Sequence, residues 1–273
     1  MNTGVFRWGQ LCALAPRSEI DKAIRDGRLL KLRHGWYATP DADPETARAV
    51  SAGGVLSCAS ALAKFGVWTP PTDRTHLRGN DAVARLHLTW CRRAGRQPAE
   101  AGAVDDLTTS LQHAAKCLPS EDFVVVCDSV LNKRLVSPIE LATLFTAASR
   151  RLHETLDRCD GRAESGTESM VRLRIARPNL RIRPQVSIVG VGRVDLLVGE
   201  SLIIEVDGYA YHADPDTFEN DRLRDLRAHA LGYNVVRLTF QQVVYQWRLI
   251  EPLLMELIRR RVHLRPLPRI TNA

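Results

Sequence analysis

Residues 190–212 read GVGRVDLLVGESLIIEVDGYAYH and residues 220–240 read NDRLRDLRAHALGYNVVRLTF. The stretches beginning at Ser201 and Tyr233 are apolar runs of strand length, and the Leu231-Gly232-Tyr233 break separates a helical pattern from the strand after it. Working outward predicts a helix over 164–177 and strands over 181–189, 193–198 and 202–207. A helix over 215–231, a strand over 233–238 and a helix over 241–260 complete the set. A mixed sheet flanked by helices follows, in a domain spanning 161–263.

Within this pattern two carboxylates stand where a plain core would not put them. Asp195 is embedded in VDLL and Glu205 ends the run LIIE. A carboxylate among apolar strand residues is costly to desolvate unless it is paired or holds a cation, so two on neighbouring strands point to a shared metal. Geometry sets one condition. An odd turn such as Val198-Gly199-Glu200 puts Asp195 opposite Ile203 on the face of Glu205, whereas an even turn separates the two acids. Asp207 shares the face of Glu205 if the strand persists, His212 follows, and Glu168 on the first helix leans over the sheet edge. Asp221, Arg224 and Asp225 have spacing that places them on one helical face. Hard oxygen ligands suit Mg2+ or Mn2+ rather than zinc, and such ions polarise phosphoryl oxygens and activate water. The competing reading of Asp195 and Glu205 is a carboxylate pair answered by Arg193 and Arg237.

The first 40 residues predict two helices and a hairpin. Phe6, Leu11 and Leu14 form an apolar stripe, Pro16 stops the first helix, and Ser18 with Asp21 forms an acidic capping box for the second. Gly27 ends that helix, and RLLKLRHGWYATP turns near His34-Gly35 as two strands. This order is the pattern of a winged helix-turn-helix. Arg17 to Arg33 hold six basic and three acidic residues, so Lys22, Arg25, Arg28, Lys31 and Arg33 are candidates for gripping the phosphates of double-stranded DNA.

Residues 41–160 predict a mixed α/β middle or connector domain without a catalytic constellation. Helices are expected from Pro44, over Ser57–Phe65, over Leu107–Leu118, and from a capping box at Ser137 and Glu140 to near Arg150, with a strand over Arg85–Trp90 and a loop over 91–102. The fold class is therefore α/β, α+β overall. The net charge of +7 and pI near 9.3 favour polyanionic partners. Six cysteines without C-x-x-C spacing predict neither a zinc module nor disulfides, but reduced, mostly buried thiols. With no signal-like segment or membrane span, the expectation is a cytoplasmic protein without a membrane partner.

The two quoted strings resemble the very-short-patch-repair-like endonuclease domains of the PD-(D/E)XK superfamily, through a D...ExDG...H...DxxRD...GY.V.R pattern over about 95 residues. The resemblance implies a restriction-endonuclease-like core and Mg2+-dependent DNA cleavage. Asp195 and Glu205 would bind metal, Glu168 would be the first-helix acid, and His212 with Arg224 would assist near the scissile phosphate. Asp207 occupies the place of the superfamily lysine, where it would add a metal ligand. The stretch from GQL through RLLKLRHGWYATP resembles AbiEi-type antitoxin winged-helix domains, which implies DNA binding and raises a second reading: a non-enzymatic antitoxin or repressor partnered by a cognate toxin or by a second copy of itself.

Overall fold

The computed structural model describes residues 2–80, 83, 89–92, 96–207 and 215–268, with backbone alone for 215–221. It has the expected mixed class of helices and small sheets. The chain groups into two compact units, Met1–Val126 with Ile139–His153, and Cys127–Pro138 with Glu154–Ala273. The expected boundaries at 40 and 160 are not the lines of this division. The first unit holds the N-terminal segment and most of the expected middle one, and the second takes 127–138 and 154–160 into the sheet-bearing part. Among the described residues no helix is long and apolar enough to cross a membrane.

The first unit opens with strand β1 (Val5–Arg7), helices Trp8–Leu14 and Arg17–Arg25, and strands β2 (Leu30–Arg33) and β3 (Trp36–Ala38), which form a sheet in the order β1-β3-β2. β1 replaces the start of the predicted first helix, so Phe6 is a strand residue, and Leu14 is 73% exposed rather than part of an apolar stripe. Leu11, Ile20, Ala23 and Leu29 make the core of this segment. The second helix begins at Arg17 with Pro16 as its cap and no capping side chain. Pro16 stands just outside the helix at ψ 147°, so the helix starts earlier than a Ser18 cap allows and leaves Ser18 inside the first turn. The turn at His34-Gly35 is as read, with Gly35 at φ +74°.

Helix Pro44–Ser51 starts where its proline predicts, capped by the Asp43 carboxylate, which accepts from Thr46 N at 2.9 Å. Strands β4 (Val55–Leu56) and β5 (Leu77–Arg78) pair antiparallel beside helices Cys58–Lys64 and Leu107–Cys117. Arg78 and Asp105 form a buried ion pair, with Nη2 2.5 Å and Nε 2.6 Å from the carboxylate oxygens. The same guanidinium donates to the carbonyls of Pro98 and Ala99, which ties down the predicted loop. The predicted strand over Arg85–Trp90 lies largely outside the described residues. The helix read to Arg150 ends at Leu144 and another spans Arg150–Leu156. At the end of the first, the Thr143 hydroxyl donates back to the Ile139 carbonyl and, just beyond it, the Thr146 hydroxyl donates to the Thr143 carbonyl, bonds that loosen a helix.

The second unit follows the predicted order closely. Helix Gly166–Ile175 leads into strands β6 (Ile182–Ile188), β7 (Gly192–Val198) and β8 (Leu202–Asp207); helix Pro215–Ala230 then crosses to β9 (Asn234–Thr239). The sheet order is β6-β7-β8-β9, antiparallel at the first two pairings and parallel at the last, because a parallel neighbour requires a crossover such as the 215–230 helix. Leu196, Val198, Leu202 and Ile204 are wholly buried. The single predicted last helix is two, Phe240–Val244 and Trp247–Arg259. The first of these opens on a capping box between Thr239 and Gln242.

Candidate functional site

The turn between β7 and β8 decides whether the two acids meet. Val198 pairs with Leu202 across three intervening residues, so the turn is odd as the shared-face condition requires. Its register differs by two residues from the expected one: continuing Leu196↔Ile204 by one residue places Asp195 opposite Glu205, not opposite Ile203. Gly199 carries this turn at φ +59°, and a Cβ there would collide with the His263 carbonyl. That carbonyl accepts from Glu200 N at 2.7 Å, so the backbone after the last helix locks the turn that sets the register.

The ladder stops at Leu196↔Ile204, and the Asp195 side chain takes over where it stops, its Oδ2 accepting from Val206 N at 2.8 Å. Continuing the β6–β7 register through its one unpaired position sets Gln185 opposite Asp195, and on the far side Glu205 pairs with Arg237. A polar row therefore crosses the whole sheet: Gln185, Asp195, Glu205, Arg237. Gln185 has a φ of +53°, a conformation rare for residues with a side chain beyond Cβ and concentrated at functional sites.

Glu168 joins this row from the preceding helix, whose Ser165 cap accepts from Glu168 N at 3.2 Å. Its carboxylate, in a residue only 4% exposed, accepts from Glu164 N at 3.0 Å and from Gln185 Nε2 at 2.8 Å. The same Gln185 amide reaches Asp195 Oδ1 at 3.4 Å, bridging the two acids. Burial, then the charge of Asp195, pushes the Glu168 carboxyl above the usual range. Burial and the adjacent Asp195 push Glu205 up to about 7, against the pull of Arg224.

Arginines complete the picture. Arg224 donates to Glu205 Oε1 at 2.8 Å and to the Arg193 carbonyl. Arg237 is held by Asp225, at 2.8 and 3.1 Å, and also meets Asp207 at 3.4 Å. Arg193, the other arginine considered as an answer to the acids, instead pairs with Glu164. Thus Glu168, Asp195, Glu205 and Arg224 are brought together, while Asp207 is set against Arg237. His212 lies outside the described residues, as does the side chain of Asp221. Gln185 was missed by the sequence reading, since a glutamine in IRPQVSI has no motif around it; only its place opposite Asp195 identifies it.

The fit to a hard cation is partial. Three carboxylates converge with oxygen donors and little solvent, the chemistry that Mg2+ or Mn2+ takes. Among the described residues, however, they do not form a set whose ligand atoms all lie within 4.8 Å, and Arg224 already holds one oxygen of Glu205.

On the N-terminal segment, Lys22, Arg25, Arg28 and Lys31 are exposed. Arg28 meets Asp26 at 3.3 Å. Arg33 is committed elsewhere: it pairs with Glu100 at 2.7 Å and lies over the Trp36 ring, 5.1 Å from its centroid. The chain matches no protein-family model, no curated protein and no solved structure.

Proposed function

We propose that the second unit is a divalent-metal-dependent DNA endonuclease, brought to double-stranded DNA by a winged-helix-like segment at the start of the first. The observation that carries this reading is the polar row Gln185–Asp195–Glu205–Arg237 with Glu168 bridged onto it, a half-buried Asp195 between two buried glutamates at the place where the β7–β8 ladder opens. Asp195 and Glu205 would hold Mg2+ or Mn2+, with Glu168 beside them. The ion, when bound, would supply Lewis acidity toward a phosphodiester and lower the pKa of a water ligand. Gln185 orients Glu168 and Asp195 through one amide. Arg224, exchanging Glu205 for substrate, would offer its guanidinium to the phosphate. Arg237 keeps Asp207 and Asp225 ordered behind the row. Lys22, Arg25, Arg28 and Lys31 would grip the DNA backbone, so affinity should fall steeply with salt.

A second reading is favoured by one contact. Arg224 sits 2.8 Å from Glu205 and answers its charge without a metal, as expected of a degenerate nuclease domain in a regulator that binds DNA with a toxin or a second copy as partner. The discriminating experiment is cleavage of supercoiled plasmid with Mg2+, Mn2+ or EDTA, by the wild type beside Asp195→Ala. Metal-dependent nicking abolished by the substitution supports the enzyme. No cleavage, with gel shifts retained by both proteins, overturns it in favour of the regulator.

A further inference from the structure

Four side chains far apart in sequence meet in the first unit: Cys58, His76, Cys91 and Cys117, whose ligand atoms all lie within 4.8 Å of one another. Cys91 Sγ is 3.4 Å from His76 Nδ1 and 3.4 Å from Cys117 Sγ, and Cys117 Sγ is 3.5 Å from His76 Nδ1. Cys58, His76 and Cys91 are buried. We propose that this cluster is a structural zinc site with a closed Cys3His ligand set.

The spacing agrees with the ion. Zinc bound at about 2.3 Å to sulfur and 2.0–2.1 Å to nitrogen, with tetrahedral angles, separates sulfur from nitrogen by about 3.5 Å and sulfur from sulfur by about 3.8 Å. The nitrogen–sulfur distances already match, and the sulfur pair needs to open by a few tenths of an ångström. Soft thiolates with one imidazole select zinc over the hard cations suited to the carboxylates.

The fold builds the site deliberately. The β4–β5 ladder runs on into it, as Ser57 N donates to the His76 carbonyl at 2.9 Å and His76 N donates to Ser60 Oγ at 3.0 Å. Cys91 N donates to the Leu77 carbonyl at 2.7 Å, so a third backbone segment lies alongside. Cys117 closes the set from the last turn of its helix, and Cys58 takes a φ of +51°, a cost retained where a side chain must be aimed. Three thiolates, a neutral histidine and a divalent ion leave one negative charge, and Arg74 Nη2 stands 3.2 Å from Cys117 Sγ to offset it. A cavity of about 140 Å³ lined in part by Arg74, His76, Cys117 and Asp122 abuts the cluster and offers the ion a path.

The test uses the full chain, purified under reducing conditions without a metal-binding tag. Elemental analysis should find about one zinc per chain, as a closed four-ligand site takes. Cobalt(II) reconstitution should give the visible bands of a tetrahedral thiolate complex. Cys91→Ser and Cys117→Ser should each lose the metal, and the double variant Asp195→Ala, Glu205→Ala should keep it. Folded wild-type chain that neither contains nor takes up zinc or cobalt overturns the proposal, whatever the variants do. So does a Cys91–Cys117 disulfide in the reduced preparation, or zinc lost with the carboxylates but kept by the cysteine variants.

Discussion

The two clusters of this protein, thiols in one unit and carboxylates in the other, are built in opposite ways. Cys58, His76, Cys91 and Cys117 converge from separate segments into a closed set with Arg74 beside them. Asp195 and Glu205 lie along a sheet row that opens where the ladder ends, with Glu168 bridged onto it from the preceding helix and Arg224 inserted against one acid. A closed soft set fills an ion's coordination sphere and leaves nothing for substrate, which suits a staple. An open hard set would leave room for a phosphate once the arginine is displaced, as the proposed chemistry requires. On the proposed roles, the two sites differ both in ligand type and in what closes the set.

The largest effect expected is on the thiol side. Arg78 follows the ligand His76 by two residues and is anchored by Asp105 in a pair with almost no solvent exposure. Asp105→Ala leaves a buried guanidinium unanswered and should cost about 3–5 kcal/mol, read as a lower denaturation midpoint together with weakened zinc retention. Unchanged zinc affinity in a destabilised variant would separate the ion pair from the cluster and weaken the staple comparison.

Next comes the carboxylate side. Asp195→Ala should lower cleavage by on the order of 10²–10³-fold, the scale of losing one preorganised electrostatic group, while leaving zinc content unchanged. Arg224→Ala sharpens the same comparison. If the arginine serves the phosphate, cleavage falls by on the order of tenfold or more. If it only answers Glu205, the variant loses stability and DNA binding is untouched, as thermal melts and gel shifts would reveal.

The smallest effect tests a feature outside both clusters. Burial raises the Asp43 carboxyl, but Lys64 and the Thr46 hydroxyl and backbone N–H outweigh it and hold the group at about 2. Asp43→Ala should cost about 0.5–2 kcal/mol through the lost cap. A group whose folded pKa is depressed stabilises the fold above its unfolded value of about 3.9 and loses that contribution as pH falls. The gap between wild type and variant should therefore be full at neutral pH and close between about pH 4 and 2. A gap that stays constant across that range would show that the carboxylate charge is irrelevant to the cap.

Much of the second unit was legible because its signals are local. Strand-length apolar runs, the Leu231-Gly232-Tyr233 break and out-of-place acids are properties of short windows, and the element order came out as read, apart from the last helix dividing at Tyr245-Gln246. The parity condition on the β7–β8 turn held while the register slipped by two, since turn length fixes which face but contacts from the His263 carbonyl fix which residue. The N-terminal segment was read with β1 as helix, because three residues of strand carry no period of their own and are stabilised only by pairing with β3.

The sequence by itself determined that the second unit is a mixed sheet with helices, that Asp195 and Glu205 are anomalous in their strands, and that basic residues concentrate before Arg33. Each follows from residue type and near-neighbour spacing, which act through local backbone preference and the period of burial. Only the tertiary structure decided that Gln185 bridges Glu168 and Asp195, that Arg33 is spent on Glu100, and that thiols separated by 33 and 26 residues, Cys58 to Cys91 and Cys91 to Cys117, meet around one histidine. Those contacts come from the closure of long loops, whose entropy is offset by packing and pairing distributed over the whole unit, so no window of sequence carries their sign.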